Sequence, residues 1–352
     1  MKGFDMDRRD TQFVRAELER VSSQYGGWTD HNIKVSPDMY TIGRRPVSQK
    51  LRRIVQVVSD FAGKELSALR VLDLGCLEGG YAIEFAMRGA EVVAIEGREA
   101  NIAKARTVQK LLQLKNLTLS HDDVRNFSTD IWGQFDVILC LGIFYHIEAP
   151  ALFYFAERIA AACTRLAVFD TEVSVRGSKS YNHGHRVYWG HDVIEHDPRS
   201  SPEQRLQELW GSLDNETSTW LTKPSFLNLL YSSGFSSVYE CDVPIVPERR
   251  CDRLTVVAVK SQPVVIESVD DHLIPDVWLP ESSTRRFHVE QSRVYAIRRR
   301  LTLMVPPPVR AVVKTLLRRA GLMGKHPRSW ELPWRVRHTA GQAGHGDRMV
   351  DR

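Results

Sequence analysis

The chain has 352 residues, 43% of them hydrophobic, and a formal net charge of +5. No apolar run reaches the roughly 18 residues of a membrane span, and the start, charged at Asp5, Asp7, Arg8 and Arg9, lacks the apolar core of a signal peptide. Five scattered cysteines (Cys76, Cys140, Cys163, Cys241, Cys251) form no CxxC pair, so they read as reduced structural thiols of a cytoplasmic protein with no zinc site.

The charge is uneven. From Arg293 to Arg352 there are 14 Lys or Arg against 3 acidic residues, which leaves the preceding body mildly acidic. An acidic body argues against a nucleic-acid-binding core, and the basic tail suits a phosphate-rich surface.

Residues 8–23 have a helical pattern, with Phe13, Val14, Leu18 and Val21 on one side. A stretch from Trp28 to Gly43 is irregular. Pro46 then suits the first turn of a second helix running to Phe61, with Leu51, Ile54, Val55 and Val58 at helical spacing. Strands are predicted at 70–74, 91–96, 117–121, 135–141 and 165–170, and helices between them at 79–89, 99–113 and 149–163. Apolar strands alternating with amphipathic helices imply an α/β fold: a doubly wound, mostly parallel sheet covered on both faces. Residues 172–222 break the rhythm, being polar and rich in His and Trp without a clear period. A helix at 224–233 ends at Gly234, and strands at 238–243 and 254–259 complete a seven-stranded sheet. The resulting division is a helical lid at 1–60, a sheet domain at 61–260 with an insert at 172–222, and a basic C-terminal extension at 261–352. In that extension Pro306-Pro307-Pro308 precedes a short basic amphipathic helix at 309–320, and 338–352 is too poor in apolar residues to fold. The 309–320 helix suits either packing on the domain or peripheral contact with a membrane surface.

The first strand runs into a glycine turn, Asp73-Leu74-Gly75-Cys76-Leu77-Glu78-Gly79-Gly80, and the second ends in Glu96. A glycine turn at a helix start, followed about 20 residues later by a strand-end acid, grips an adenosine-type cofactor. The dinucleotide pattern GxGxxG needs glycine where Leu77 stands, which disfavours a nicotinamide dehydrogenase. Asp73, inside the first strand, suits a cationic amino group, which S-adenosyl-L-methionine has and NAD lacks. The third strand runs into Asp122-Asp123-Val124, where a carboxylate and the next backbone N–H suit an adenine edge. The fourth, containing Cys140, presents Gly142 and the pair Tyr145-His146 at its carboxyl end.

This series resembles the class I, seven-stranded S-adenosylmethionine-dependent methyltransferases. The resemblance covers about 60–260. It implies that Asp73, Gly75 and Gly79 surround the methionine end, Glu96 holds the ribose, and Asp123 with Val124 holds the adenine; Cys140 is grouped with them. Leu77 departs from the usual glycine. Trp28, His31, Ile33 and Thr41, with Leu141-Gly142 and Tyr145-His146, are similar to a subgroup that includes the tRNA wobble-uridine carboxymethyltransferases, which implies that 25–45 folds over the cofactor as a lid.

Methyl transfer from a sulfonium needs alignment and exclusion of water, and an oxygen or nitrogen acceptor can also need a base. His146 and His31 are the candidates, against the plainer reading of each as a structural histidine. The insert is expected to form the acceptor pocket, with Trp28, Tyr145, Tyr188 and Trp189 as substrate contacts and Tyr181, Trp210 and Trp220 as further walls. Its His183, His185, His191, His196, Asp192, Glu195 and Asp197 match no established ligand spacing, so no metal is assigned. The preferred acceptor is a small molecule or glycan. A tRNA-modifying enzyme using the basic tail, and a non-catalytic binder of the same cofactor, are the alternatives.

Overall fold

A computed structural model describes residues 8–43, 48–241 and 252–261. All lie in the first of two units into which the chain divides, Met1–Arg300. The helix expected at 309–320, the remainder of the basic extension and Pro46 lie outside the described residues.

Helix α1 (Arg8–Tyr25) is followed by a small hairpin, β1 (Lys34–Ser36) with β2 (Met39–Tyr40), and by α2 (Gln49–Ala62). The alternating core follows as β3 (Arg70–Leu74), α3 (Gly80–Met87), β4 (Glu91–Glu96), α4 (Glu99–Leu111), β5 (Leu117–His121), α5 (Thr129–Trp132), β6 (Phe135–Leu141), α6 (Ala151–Ala162) and β7 (Cys163–Glu172). An insert carries β8 (Lys179–His183), β9 (Arg186–Ile194), α7 (Pro202–Gln207) and β10 (Thr217–Leu221), after which α8 (Lys223–Ser232), β11 (Ser237–Cys241) and β12 (Arg253–Val259) close the domain.

The main sheet has seven strands in the order β11-β12-β7-β6-β3-β4-β5. Only β12 runs against its neighbours. Successive residues of each central strand enter opposite layers, as the period of two requires. Leu72, Leu74, Ile138 and Cys140 join Phe153, Phe155, Phe226 and Leu230 of α6 and α8. Val71, Val92, Val137 and Leu139 join Val58, Ile83, Phe85 and Ile102 of α2, α3 and α4. Burial on both faces is why these strands read as unbroken apolar runs.

β3 is the first strand laid down in the sheet's centre. The chain then moves outward to β4 and β5 and returns to the other side of β3 as β6. That reversal opens a crevice beyond the carboxyl ends of β3 and β6, the place where open α/β sheets bind ligands. Asp73 sits in register with Ala94 of β4 and Leu139 of β6.

The insert is more ordered than its composition suggests. β10, β9 and β8 form a three-stranded antiparallel sheet, with Trp220 paired to His191 and Tyr188 to Tyr181. Its strand alternation is carried by Tyr, Trp, His, Ser and Thr rather than by aliphatic residues, so a reading based on apolar period passes over it.

Candidate active site

A cavity of about 940 Å³ lies beyond the strand ends. It is at the upper end of the range for small-molecule sites, about 300–1,000 Å³. Its floor includes Asp73, Gly75, Leu77, Glu96 and Val124, and one wall carries Tyr145 and His146.

Asp73 is 2% exposed. Its Oδ2 accepts the N–H of Ala82, near the start of α3, at 3.1 Å. Burial pushes its carboxyl up to about 7, and the neighbouring Glu96 adds to this. Glu96 accepts the Leu77 N–H at 2.9 Å on Oε2, and the Arg98 N–H at 2.9 Å and the Asn101 amide at 3.2 Å on Oε1. Burial also raises its pKa. Leu77 reaches Glu96 by taking the left-handed conformation, φ +50°, that a glycine would adopt at less cost. The turn thus keeps its shape despite the missing glycine.

Residues 27–31 are strapped across this turn by Glu78, which is fully buried. Its carboxylate accepts the N–H groups of Thr29 (2.8 Å), Asp30 (3.2 Å) and His31 (3.1 Å). Lys104 of α4, also fully buried, pairs with Glu78 at 3.2 Å and donates to the Gly27 carbonyl at 2.8 Å. His31 accepts the Gly80 N–H on Nδ1 at 2.9 Å. A Cβ on Gly80 would lie 2.6 Å from the His31 ring, so only glycine admits this contact.

A second cover comes from the insert. The guanidinium of Arg98, buried by desolvation enough to lower its pKa, donates to the carbonyls of Leu206, Glu208, Gly211 and Ser212 at 2.8–3.1 Å. This holds 206–212 above the end of β4, where Leu209, Trp210 and Leu213 line the cavity.

On the opposite wall, both oxygens of Glu195 stand 3.1 Å from Nδ1 of His146. Glu195 is 2% exposed and also accepts the Ser212 N–H (3.0 Å) and the Ser218 hydroxyl (2.6 Å). Beyond His146, Asp170 accepts from Lys50 (2.7 Å), Arg253 (2.7 Å) and Thr255 (2.6 Å). Lys50, Arg253, Glu172, Tyr145 and Trp220 line this end, so it presents paired charges and two aromatic rings.

Residues 65–171 match the family described as a methyltransferase domain. The segment that holds β3 to β7 is therefore similar to a methyltransferase domain. A ubiquinone biosynthesis O-methyltransferase of Acinetobacter baumannii (strain AYE) is 31% identical over 170 residues, 47% of this chain and 65% of that protein. Its counterpart in Acinetobacter baylyi is 30% identical over 142 residues, 39% of this chain and 56% of that protein. The match therefore spans less than two thirds of these relatives' length. The N-terminal domain of EvdMO1, crystallised in the presence of SAH and D-fucose, superposes with a TM-score of 0.54 at 21% identity, covering 74% of this chain and all of that domain. At that identity the likeness is one of fold.

The structure brings Asp73, Gly75, Glu96, Val124, Tyr145, His146 and His31 to one cavity. It places the other sequence-based candidates elsewhere. Gly79 (φ +80°) caps the start of α3, lies against Ala105 and does not line the cavity. The Asp123 carboxylate is taken up by the Arg125 guanidinium at 2.5 Å and does not line the cavity. Cys140 faces the apolar layer under α6 and is fully buried. Trp28 packs beside the layer containing α3 and α4. Tyr188 is buried against Phe153, and its hydroxyl bonds to Ser232 at 2.7 Å. Trp189 packs over Gly177 and stands half-exposed outside the cavity. His31 does not present a base in this arrangement: burial lowers its pKa, and with Nδ1 accepting from Gly80 the neutral ring keeps its proton on Nε2.

The histidines of the insert disperse, His183 to Glu157, His191 to Ser174 and His196 to Ser212. Glu78, Lys104, Arg98 and Glu195 are site-building residues that sequence reading did not identify. Glu78 carried a signal as a carboxylate inside the glycine turn, and Glu195 stood among the insert's carboxylates without an assigned role. Among the described residues no helix is long and apolar enough to cross a membrane.

Proposed function

We propose that this chain is an S-adenosylmethionine-dependent methyltransferase acting on an oxygen of a small molecule or glycan. The observation that carries the reading is the convergence of Asp73, the Gly75 turn and Glu96 with His146 in one cavity at the sheet's switch point. The residues fit the cofactor chemically. Asp73 is a buried carboxylate without a cationic partner among the described residues, which suits an α-ammonium group. Glu96 suits a ribose diol, and Val124 an adenine face. When bound, that cofactor supplies an electrophilic methyl group on a positive sulfur.

The chain's own residues do the rest. The strap at 27–31 and the segment at 206–212 exclude water from two sides, which favours attack by the acceptor over side reactions. His146 is the residue placed to take the proton of an acceptor hydroxyl. The O-methyltransferase relatives support oxygen as the acceptor atom. The paired charges of Lys50, Arg253, Asp170 and Glu172, beside the rings of Tyr145 and Trp220, suit a hydroxyl-rich acceptor, for which donors, acceptors and an aromatic face are all needed.

Calorimetric titration with S-adenosylhomocysteine tests the first part: binding is expected, and its absence would end this reading. Mass spectrometry of a metabolite and oligosaccharide extract, treated with methyl-labelled cofactor and the enzyme, is expected to show a labelled methyl ether.

A further inference from the structure

We propose that Glu195 is the positioning residue that makes His146 a base, holding its imidazole with the proton on Nδ1 and leaving Nε2 as the nitrogen that accepts. The inference rests on reading the cavity as a methyl-transfer site and adds to it a group from a different part of the chain.

The geometry is specific. His146 lies in the turn after β6, and Glu195 follows β9 in the insert, 49 residues later. Nδ1 faces both carboxylate oxygens at 3.1 Å, so it meets only acceptors there and must donate. The carboxylate cannot turn away, because the Ser212 N–H and the Ser218 hydroxyl hold one oxygen each. The His146 backbone is held as well: its N–H donates to Ile143 at 2.9 Å and its carbonyl accepts from the Asn215 amide at 3.0 Å. Among the described residues nothing bonds Nε2. A neutral imidazole has one donor and one acceptor nitrogen, and the partner of the first decides which is the second. As an acceptor hydroxyl gives up its proton, that proton goes to Nε2, and the imidazolium formed is stabilised by the ionised Glu195 beside it.

His31 provides an internal contrast, because its Nδ1 accepts a hydrogen bond and its neutral ring is the opposite tautomer. One cavity thus holds two histidines in opposite proton states.

Nitrogen NMR of ¹⁵N-histidine-labelled full chain tests this without any acceptor. With the His146 signals assigned by their loss in His146→Asn, and the pH raised until the ring is neutral, the expected pattern is a protonated Nδ1 and an unprotonated Nε2. Glu195→Ala is expected to shift the population to the Nε2–H form. Glu195→Gln, which keeps the volume and one acceptor oxygen, is expected to fold and to retain Nδ1–H. An Nε2–H tautomer in the wild type overturns the proposal, as does an unchanged tautomer in a folded Glu195→Ala protein. Should Glu195→Ala fail to fold, the wild-type and Glu195→Gln spectra decide. Titration with S-adenosylhomocysteine on the same samples separates the two ideas: lost binding in the wild type refutes the methyltransferase reading, whereas a wrong tautomer with intact binding refutes only the role of Glu195.

Discussion

Arg98 donates through Nη2 to the carbonyl of Ser212 at 2.8 Å, across 114 residues of sequence. The backbone N–H of Arg98 is bonded to Glu96, and the N–H of Ser212 to Glu195. A short run of hydrogen bonds therefore joins the acid at the tip of β4 to the partner of His146. Arg98→Ala removes the charged donor from four carbonyls, those of Gly211 and Ser212 in buried bonds. Hydrogen bonds to charged groups contribute roughly 1.5–3 kcal/mol each when lost. Amide exchange across 206–214 should accelerate at least about tenfold, and S-adenosylhomocysteine should bind more weakly. Wild-type exchange in that segment would show that Arg98 does not hold it.

The strap at 27–31 depends on a second buried pair. Glu78→Gln or Lys104→Met alone leaves one charge without its partner, a change that costs about 3–5 kcal/mol for buried pairs. The double variant should be less destabilised than the two single changes added together. Urea denaturation measures all three. Additive losses would mean that Glu78 and Lys104 act separately, for instance only through their bonds to Thr29 and Gly27.

The raised value of Asp73 gives a pH signature. Its carboxyl titrates at about 7 in the folded chain and near 3.8 when unperturbed. Between those limits the folded state holds a proton that the unfolded state has lost. The Asp73 contribution to stability is therefore greatest below the lower value, falls as pH rises through the window, and levels off above about 7. A ligand bringing an ammonium group favours the ionised form. Binding of S-adenosylhomocysteine near pH 6 should consequently release a proton, read by calorimetry in two buffers of different ionisation enthalpy. Asp73→Asn should abolish the release and weaken binding. Proton-neutral binding by the wild type would place the ammonium elsewhere.

Tyr188 gives a control in the opposite direction. Tyr188→Phe removes a hydrogen bond to Ser232 and should cost about 1 kcal/mol of stability. Cofactor affinity and acceptor KM should stay at wild-type values. A raised KM would return Tyr188 to the acceptor pocket.

The residues themselves were enough to determine the sheet and to single out two acids that line the cavity. Val71-Leu72, Val92-Val93 and Val137-Ile138 are apolar on both faces, which only a strand covered by two helical layers tolerates, and Asp73 and Glu96 stand out as acids at the ends of such strands. Those are local signals, carried by composition and by a period of two. Tertiary structure alone decided which polar groups meet. Asp123 has the position of an adenine ligand, yet Arg125, two residues on, occupies its carboxylate. His31 and His146 look alike in sequence, but one receives a backbone N–H and the other faces Glu195. Tyr188 and Trp189 are neighbours of the kind that line pockets, and strand alternation sends one into the core and leaves the other outside. Such outcomes depend on partners dozens of residues away, and a hydrogen bond or ion pair within a buried site carries no periodicity by which the chain could announce it.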